Sequence, residues 1–391
     1  MTRMQLPGLR KRFNDGTRRP AEWTPELLEK VEWRREAAAE PFRGVATSAG
    51  VQPGLFPLRS TGVDVGGIRK AAEEYLASLS PEQLAEGRFP MDDVSWRHWS
   101  NGARYFLRHG LCLEDFDEER RRRVVAVLRA SLSEYGFLQI LDLMHLNLTI
   151  GELRGEEHLL NEWLYWFSVY GEPGSVDSKH GGPWGWQLDG HHVCVNCSIV
   201  GDQVVLTPTF LGAEPVIADG GKYAGTAAFR REEAMGERLF TTLTGSQRKH
   251  AVIADELPLG LFVGAFRDNF ELNCQGLPLG ELTQGQREIA RDLIGLYTDR
   301  AAEGHARVRR DEVFAHESET YFAWAGDPSS GGAFYYRVHS PVILIEFEHQ
   351  RGVMFDNDVP LRTHVHSVVR TPNGNDYGVD LLRQHHERFH N

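Results

Sequence analysis

Two alternating segments near the carboxyl end constrain the fold more than any other part of the chain. Residues 342–348 and 363–370 both read as strands, and residues two apart on a strand point to the same side. His364 and His366 therefore share a face, while Glu346 lies among apolar residues and is expected to be buried. A buried carboxylate must be paired or bound to a cation. If the two strands pair antiparallel, Glu346 meets both histidines across the ladder.

A second pair of histidines, His191 and His192, follows a glycine far upstream in the segment DGHHVCVN. Glycine lets the backbone approach another group closely, so one histidine of this pair can complete a ligand shell with the downstream strands. Two imidazoles and a carboxylate are a common ligand set for zinc, iron or manganese. The predicted ligands of a divalent metal ion, zinc or iron, are His192, Glu346, His364 and His366.

We assign a catalytic role to His191, since an imidazole titrates near neutral pH and can act as general base or acid. The residues leave open which of His191 and His192 is the ligand. The alternative is structural for both histidine segments, because histidines also occur at strand starts and on half-exposed strand faces without binding a metal.

Three polar residues near the histidine strand complete the predicted site. Arg337 and Arg370 lie on predicted strands, where each could clamp a carboxylate or phosphate of a substrate or form a surface ion pair. Asp376 follows the histidine strand and is expected to cap the last helix or to orient a ligand imidazole. The predicted catalytic set is thus His191, Arg370 and Asp376.

Tryptophans Trp184 and Trp186 lie in a glycine-rich segment, GGPWGWQLDG, which we interpret as part of a loop over residues 171–190. Large rings separated by glycine can form the wall of a ligand pocket or pack into the core. The composition supports both interpretations equally.

The overall charge and hydropathy exclude two classes of partner. The net charge of -12 argues against a general affinity for nucleic acid. No apolar run approaches the about 20 residues that span a bilayer, so we expect no membrane partner. The four cysteines do not suggest a disulfide framework and suit a reducing compartment. We therefore expect a cytoplasmic protein with a small-molecule substrate.

The pattern along the chain predicts an α+β fold. Residues 1–62, rich in Arg, Pro and Gly, are expected to form an extended or partly disordered arm through which a homo-oligomer could assemble. Residues 63–391 are expected to form a single α+β catalytic domain, mainly helical over 63–160 and mixed, with the site, over 161–391. The helical part, with one helix predicted over 96–108, should pack on a mostly antiparallel sheet built from the middle and C-terminal strands.

Several of these motifs together resemble the bacterial domain of unknown function 3500 family. The resemblance rests on PWGWQLDGHHVCVN, LTPTFLGAEP, FYYRVHSPVILIEFE and HVHSVVRTPNGNDYGVDLLRQHH. The chain departs from the family pattern in HQRGVMFDNDVPLRT, where the family is richer in Asp and Asn. The resemblance implies functional positions but no known reaction. The implied positions are His191, His192, Glu346, His364, His366, Arg370, Asp376 and Gly378.

The residues favour a metal-dependent enzyme that acts on a small molecule, with hydrolysis slightly ahead. A non-haem iron or copper oxygenase or oxidase is the first alternative, since the same ligands suit oxygen chemistry. The second alternative is a non-catalytic binding protein whose histidines are hydrogen-bonded core residues. No glycine-rich nucleotide loop and no G-x-S-x-G or H-E-x-x-H motif supports another enzyme class.

Overall fold

The computed structural model describes residues 6–10, 24–102, 107–174, 182–326 and 332–389. Helices occur along the whole of this described chain, and capping residues in the sequence set several of their ends. The helices are α1 (Pro25–Ala39), α2 (Gly66–Leu76), α3 (Pro81–Gly87), α4 (Glu118–Ser131), α5 (Glu134–Arg154), α6 (Arg230–Thr242), α7 (Gly245–Ala251), α8 (Gln284–Thr298), α9 (Glu303–Ala315) and α10 (Val379–Phe389). A capping box begins α8, with Thr283 and Gln286 each accepting the other's backbone N–H.

The strands of the described residues join into one 13-stranded sheet. They are β1 (Arg88–Phe89), β2 (Leu111–Cys112), β3 (Tyr165–Gly171), β4 (Trp184–Gly190), β5 (Val193–Val200), β6 (Gln203–Val205), β7 (Thr209–Ala213), β8 (Val252–Ala254), β9 (Leu277–Pro278), β10 (Tyr321–Ala325), β11 (Tyr335–His339), β12 (Leu344–Gln350) and β13 (Leu361–Arg370).

The strand order is β1-β3-β4-β5-β7-β13-β12-β11-β10-β8, with β2 on β3, β6 on β5 and β9 on β10. Strands β1 and β3 pair parallel, as do β8 and β10, and the other pairs are antiparallel. This confirms the predicted α+β class with a mostly antiparallel sheet. Strand β13 lies in the middle of the order, so its side chains are enclosed by neighbours on both sides.

The two faces of the sheet bury different kinds of side chain. One face contributes Phe167, Trp186 and Phe347 to a large apolar cluster that also contains side chains of α4, α5 and α8. The other face contributes Cys194 and Phe210 to a smaller cluster, covered by segments around 96–99 and 261–272. Many buried polar side chains lie on this second face, together with the half-buried His366; among them are Asp189, Asn196, Glu346, Glu348, His364 and Arg370. The second face is therefore where a polar site can form.

Two of the predicted elements are wrong. Residues 184–190, predicted as loop, form strand β4, because Gly185 allows a close approach: an added Cβ would lie 2.3 Å from the carbonyl oxygen of Cys197. Both Trp184 and Trp186 pack in the large apolar cluster, away from the second face. The helix predicted over 96–108 is only a short 3₁₀ segment, Val94–His98, in the part of this range that the structure describes.

The described part of the N-terminal arm contacts the same chain. The backbone N–H of Arg10 donates to the carbonyl of Met354 at 2.9 Å, and Ala46 forms a parallel bridge with Glu271. An oligomer formed through this arm stays a prediction. Within the described ranges, no helix combines the length and apolarity needed to cross a membrane.

Candidate metal centre

Three histidines from two distant parts of the chain converge on the second face of the sheet. One ring nitrogen each of His192, His364 and His366 lies within 4.8 Å of the other two. Nε2 of His366 lies 3.0 Å from Nε2 of His364 and 3.2 Å from Nε2 of His192. Tetrahedral zinc with Zn–N bonds of about 2.0–2.1 Å would hold its nitrogens about 3.3 Å apart. Both observed separations are close to this value.

Local backbone geometry brings the three rings together. His364 and His366 are two residues apart on β13, and His366 pairs with Gly212 of β7. His192 is the second residue of the tight turn that joins β4 to β5, where its φ is 66°. The carbonyl of His192 accepts the N–H of Gly212 at 2.7 Å. This bond fixes the turn beside β13.

A glycine leaves the space that two of the rings occupy. A Cβ added at Gly212 would lie 2.9 Å from Cδ2 of His366 and 3.0 Å from Cδ2 of His192. Both distances are shorter than ordinary van der Waals contact, so any larger residue must displace a ring. Position 212 therefore requires glycine if the two imidazoles are to meet.

The protonation of His364 follows from its neighbours. Its Nδ1 lies 2.8 Å from the carbonyl oxygen of Arg351, which can only accept, so Nδ1 carries the proton. Burial lowers the pKa of His364 to about 4, which keeps the ring neutral. Nε2 of His364 therefore presents a lone pair to Nε2 of His366.

The other two rings are also held neutral. Burial lowers the pKa of His366 to about 3, and burial together with the neighbouring histidines lowers that of His192 well below its usual value. A single proton on Nε2 of His366 can make a straight hydrogen bond to only one of its two neighbours. A bound cation would satisfy all three nitrogens at once.

A carboxylate lies behind each of the two strand histidines. Oε2 of Glu214 is 3.5 Å from Nδ1 of His364, and Oε1 of Glu348 is 3.5 Å from Nδ1 of His366. Carboxylates in this position orient metal-binding imidazoles and raise their basicity. The arrangement is thus the one expected behind histidine ligands.

The two carboxylates are themselves supported differently. The Glu214 carboxylate accepts the backbone N–H groups of residues 353–355 at 2.9–3.0 Å. Glu348 accepts the side-chain amide of Gln350, and its Oε2 has no partner among the described residues. Burial raises the pKa of Glu348 to about 8. The sequence prediction contained neither residue; the alternation of β12 placed Glu348 on the right face, but no local signal pointed to Glu214.

His191, the predicted catalytic histidine, lies beside the cluster. Its Nδ1 is 2.7 Å from Oδ1 of Asn147 on α5, and its ring stacks on His192 with the centroids 3.9 Å apart. Burial, with the neighbouring histidines, lowers its pKa to about 3. His191 thus links His192 to helix α5, because its ring stacks on His192 and its Nδ1 lies next to Asn147 of α5.

Glu346, the predicted carboxylate ligand, is not among the converging ligand atoms. Its carboxylate accepts the N–H groups of Phe262 and Val263 at 3.0 and 2.9 Å and the hydroxyl of Tyr335 at 2.7 Å. The predicted antiparallel pairing of β12 with β13 exists, but its register sets Glu346 opposite Val368. Glu348 takes the position opposite His366 instead.

Arg370 and Asp376, predicted as catalytic, contact none of the three histidines. Arg370 donates to Asp268 at 2.6 Å and to Asp376 at 3.2 Å, and its remaining N–H groups donate to the carbonyls of Val263 and Gly264. All three charged side chains are almost fully buried. They form an ion-pair network that joins the end of β13 to the covering loop.

The pKa values of the two carboxylates in this network are shifted in opposite directions. Against the effect of burial, Arg370 and Arg97 hold the pKa of Asp268 below its usual value. Burial raises the pKa of Asp376 to about 6 in spite of Arg370. The difference follows from the contacts, because two arginines reach Asp268 and only one reaches Asp376.

Comparison with known proteins assigns the chain to a family. Residues 61–379 match the family described as Protein of unknown function (DUF3500). The chain belongs to this family. No curated protein and no solved structure matches it.

The match confirms the resemblance expected from the motifs. In this DUF3500 protein the matched range contains the histidine cluster, both carboxylates behind it and the network of Arg370. The candidate metal centre therefore belongs to the part of the chain that defines the family, and the arm before residue 61 does not.

Proposed function

We propose that this DUF3500 protein is a metal-dependent enzyme that binds one divalent ion through His192, His364 and His366. One observation carries the proposal: three neutral imidazoles direct Nε2 atoms at one point, with two separations of 3.0 and 3.2 Å. Converging lone pairs in a buried site repel one another unless a cation or protons lie between them. The single proton available at His366 does not satisfy both contacts.

Zinc is the metal we favour, and hydrolysis of a small molecule is the reaction. Zinc bound by three histidines lowers the pKa of its fourth ligand, a water, to about 7 and so supplies a nucleophile. The Arg351 carbonyl holds the ring of His364 through Nδ1, with Glu214 3.5 Å from the same atom, and Glu348 lies 3.5 Å from Nδ1 of His366. His366 is the most exposed of the three, with 13% of its side chain accessible, and marks the side from which a substrate would approach.

Oxygen chemistry with copper or iron is the alternative. Imidazole ligands suit both metals, and the ligand set alone does not separate them from zinc. The common iron site with two histidines and one carboxylate has weaker support, because Glu346 is held by two backbone amides and a tyrosine. A non-catalytic binding protein is the third possibility, and it would leave the histidines as core residues.

We also propose a cytoplasmic location. The support is that all four cysteines, Cys112, Cys194, Cys197 and Cys274, are free thiols in the fold, which suits a reducing compartment.

A reconstitution experiment tests the proposed reaction. The protein is stripped with a chelator, reloaded separately with zinc, copper or iron(II), and assayed against a panel of carboxylic and phosphoric esters and in an oxygen electrode. We expect ester hydrolysis with zinc and none with a His364→Ala/His366→Ala variant that remains folded. Substrate-dependent oxygen uptake with copper or iron, without zinc-dependent hydrolysis, would establish the alternative. Neither activity with any metal would leave a binding protein.

A further inference from the structure

A second buried cation on the same face of the sheet has no acidic partner among the described residues. Arg337 of β11 is only 1% exposed. One of its terminal nitrogens donates to Oε1 of Gln275 at 3.1 Å, while Nε and the other terminal nitrogen have no partner among the described residues. Arg370, equally buried, uses all of its nitrogens. Arg337 therefore differs from the arginine that the fold itself satisfies.

The nearest acidic residue across the ladder does not pair with Arg337. Glu346 lies directly opposite it in the register of β11 and β12. The Glu346 carboxylate instead turns to the N–H groups of Phe262 and Val263 and to the hydroxyl of Tyr335. Glu346 and Arg337 thus lie on neighbouring strands without pairing, and two of the three guanidinium nitrogens have no acceptor in the described chain.

A second unpartnered polar group lies beside Arg337. His339 is two residues along β11 on the same face, 2% exposed, and its Nδ1 has no partner in the described chain. Burial and the charge of Arg337 lower its pKa to about 3, so the ring is neutral and can donate one N–H. The ring of Phe262 lies 5.7 Å from the guanidinium carbon and closes another side of the group.

A buried guanidinium without a counterion is strongly unfavourable, because its desolvation is not offset by any attraction. Guanidinium N–H groups match the oxygen spacing of carboxylates and phosphates. We propose that Arg337, with His339, binds a small oxyanion, a carboxylate or phosphate group, beneath the exposed side chain of Gln275. This site is separate from the histidine cluster and does not depend on the proposed reaction.

The first test is binding of two simple oxyanions to the whole protein. Thermal unfolding is followed while acetate or inorganic phosphate replaces chloride at constant ionic strength, and calorimetric titration gives the affinity. We expect a saturable rise in Tm with at least one of the two ions, which also decides between carboxylate and phosphate. The rise should disappear in Arg337→Met. If wild-type protein gives no saturable response to either ion, solvent satisfies the guanidinium and the proposal fails.

A second variant keeps the test decisive should Arg337→Met fold poorly. Gln275 is exposed and already contacts Arg337, so Gln275→Glu supplies a carboxylate from the chain itself. We expect a higher Tm than wild type in chloride and oxyanion binding weakened by at least tenfold. The matched control is Gln52→Glu, the same charge change at an exposed site with no side-chain contact to Arg337. Equal behaviour of the two glutamate variants would contradict an oxyanion site at Arg337.

Discussion

Strand β13 carries two buried polar groups on one face, and their bonding differs. At its C-terminal end Arg370 donates to two carboxylates and two backbone carbonyls, so each of its nitrogens has a partner. Four to six residues earlier, His364 and His366 direct Nε2 atoms at each other and at His192. At the arginine end every nitrogen has a partner within the fold, whereas at the histidine end the proposed cation would supply the missing partner.

This difference distinguishes buried polar groups that stabilise the fold from buried polar groups that could bind a ligand. Buried polar groups are normally paired, so a group that the fold leaves unpaired requires another partner, such as water, an ion or a ligand. Arg370 holds the loop around residues 263–268 against the sheet. Arg370 and Asp376, which were predicted to be catalytic, belong to this ion-pair network and do not contact the histidine cluster. The histidine end is the candidate site. The two ends should therefore respond differently to mutation.

Removing the arginine should have the largest effect on stability. Arg370→Met leaves Asp268 and Asp376 buried without their shared cation, and breaking a buried pair in this way costs about 3–5 kcal/mol. Urea unfolding measures the change, and metal bound per folded chain should stay the same. Arg383→Met, which breaks only exposed ion pairs on α10, is the control and should cost less than about 1 kcal/mol. Equal losses for the two variants would remove the structural role of the arginine end.

Changing a carboxylate behind the cluster should weaken metal binding without unfolding the protein. Glu348→Gln keeps the size of the side chain but removes a carboxyl group that could ionise beside Nδ1 of His366 when a cation binds. Loss of such a partner weakens metal affinity about 10–100-fold. Competition with a coloured chelator measures the affinity, and the exposed Glu271→Gln is the control. An unchanged affinity would show that Glu348 does not act on His366.

Filling the space at Gly212 should have a smaller effect on the same affinity. An alanine methyl meets the rings of His192 and His366 at 2.9–3.0 Å, so the rings must separate by a few tenths of an ångström. We expect metal binding weaker by about tenfold, or ~1.4 kcal/mol. Gly220→Ala, where an added Cβ meets nothing within 4 Å, should bind as wild type does. Tight binding by Gly212→Ala would mean that the rings are not held by contact across position 212.

The smallest predicted effect is the pH dependence of the unfolding free energy that Asp268 contributes in the Arg370 network. The folded-state pKa of Asp268 lies below its ordinary value of 3.8, so its contribution to stability is present above pH 3.8 and is lost as the pH falls through the folded pKa. The difference in unfolding free energy between Asp376→Asn and the Asp268→Asn/Asp376→Asn double variant should be constant from pH 8 to about pH 5, because Asp376, whose pKa is about 6, is absent from both. It should shrink at lower pH by at most about 1.4 kcal/mol per unit. A difference that instead grows below pH 4 would contradict this charge state.

Local sequence patterns predicted the faces of the strands but not their register. Alternation alone placed His364 and His366 on one side of a strand. Register depends on pairing with distant strands, and here it moves Glu348, not Glu346, opposite His366. Glu214 could not be found, since only the fold brings it to His364.

Two features that the sequence pattern did not predict, strand β4 and the meeting of two imidazoles, depend on glycines. Gly185 made strand β4 look like a loop, although the missing side chain is what permits its close pairing with β5. Gly212 carries no chemistry of its own, yet it leaves the space in which two imidazoles meet. Such positions are recognised only when both neighbours across the sheet are known.

Metal stoichiometry of the purified protein is the most direct test of the central claim. Metal-free wild type and the His364→Ala/His366→Ala variant are titrated with zinc and with cobalt(II), whose absorption reports the geometry around the ion, and circular dichroism verifies that both are folded. The account predicts one ion per chain with tetrahedral cobalt bands for wild type, and none for the variant. Absence of binding by folded wild type, or equal binding by the variant, would contradict a metal centre at these histidines.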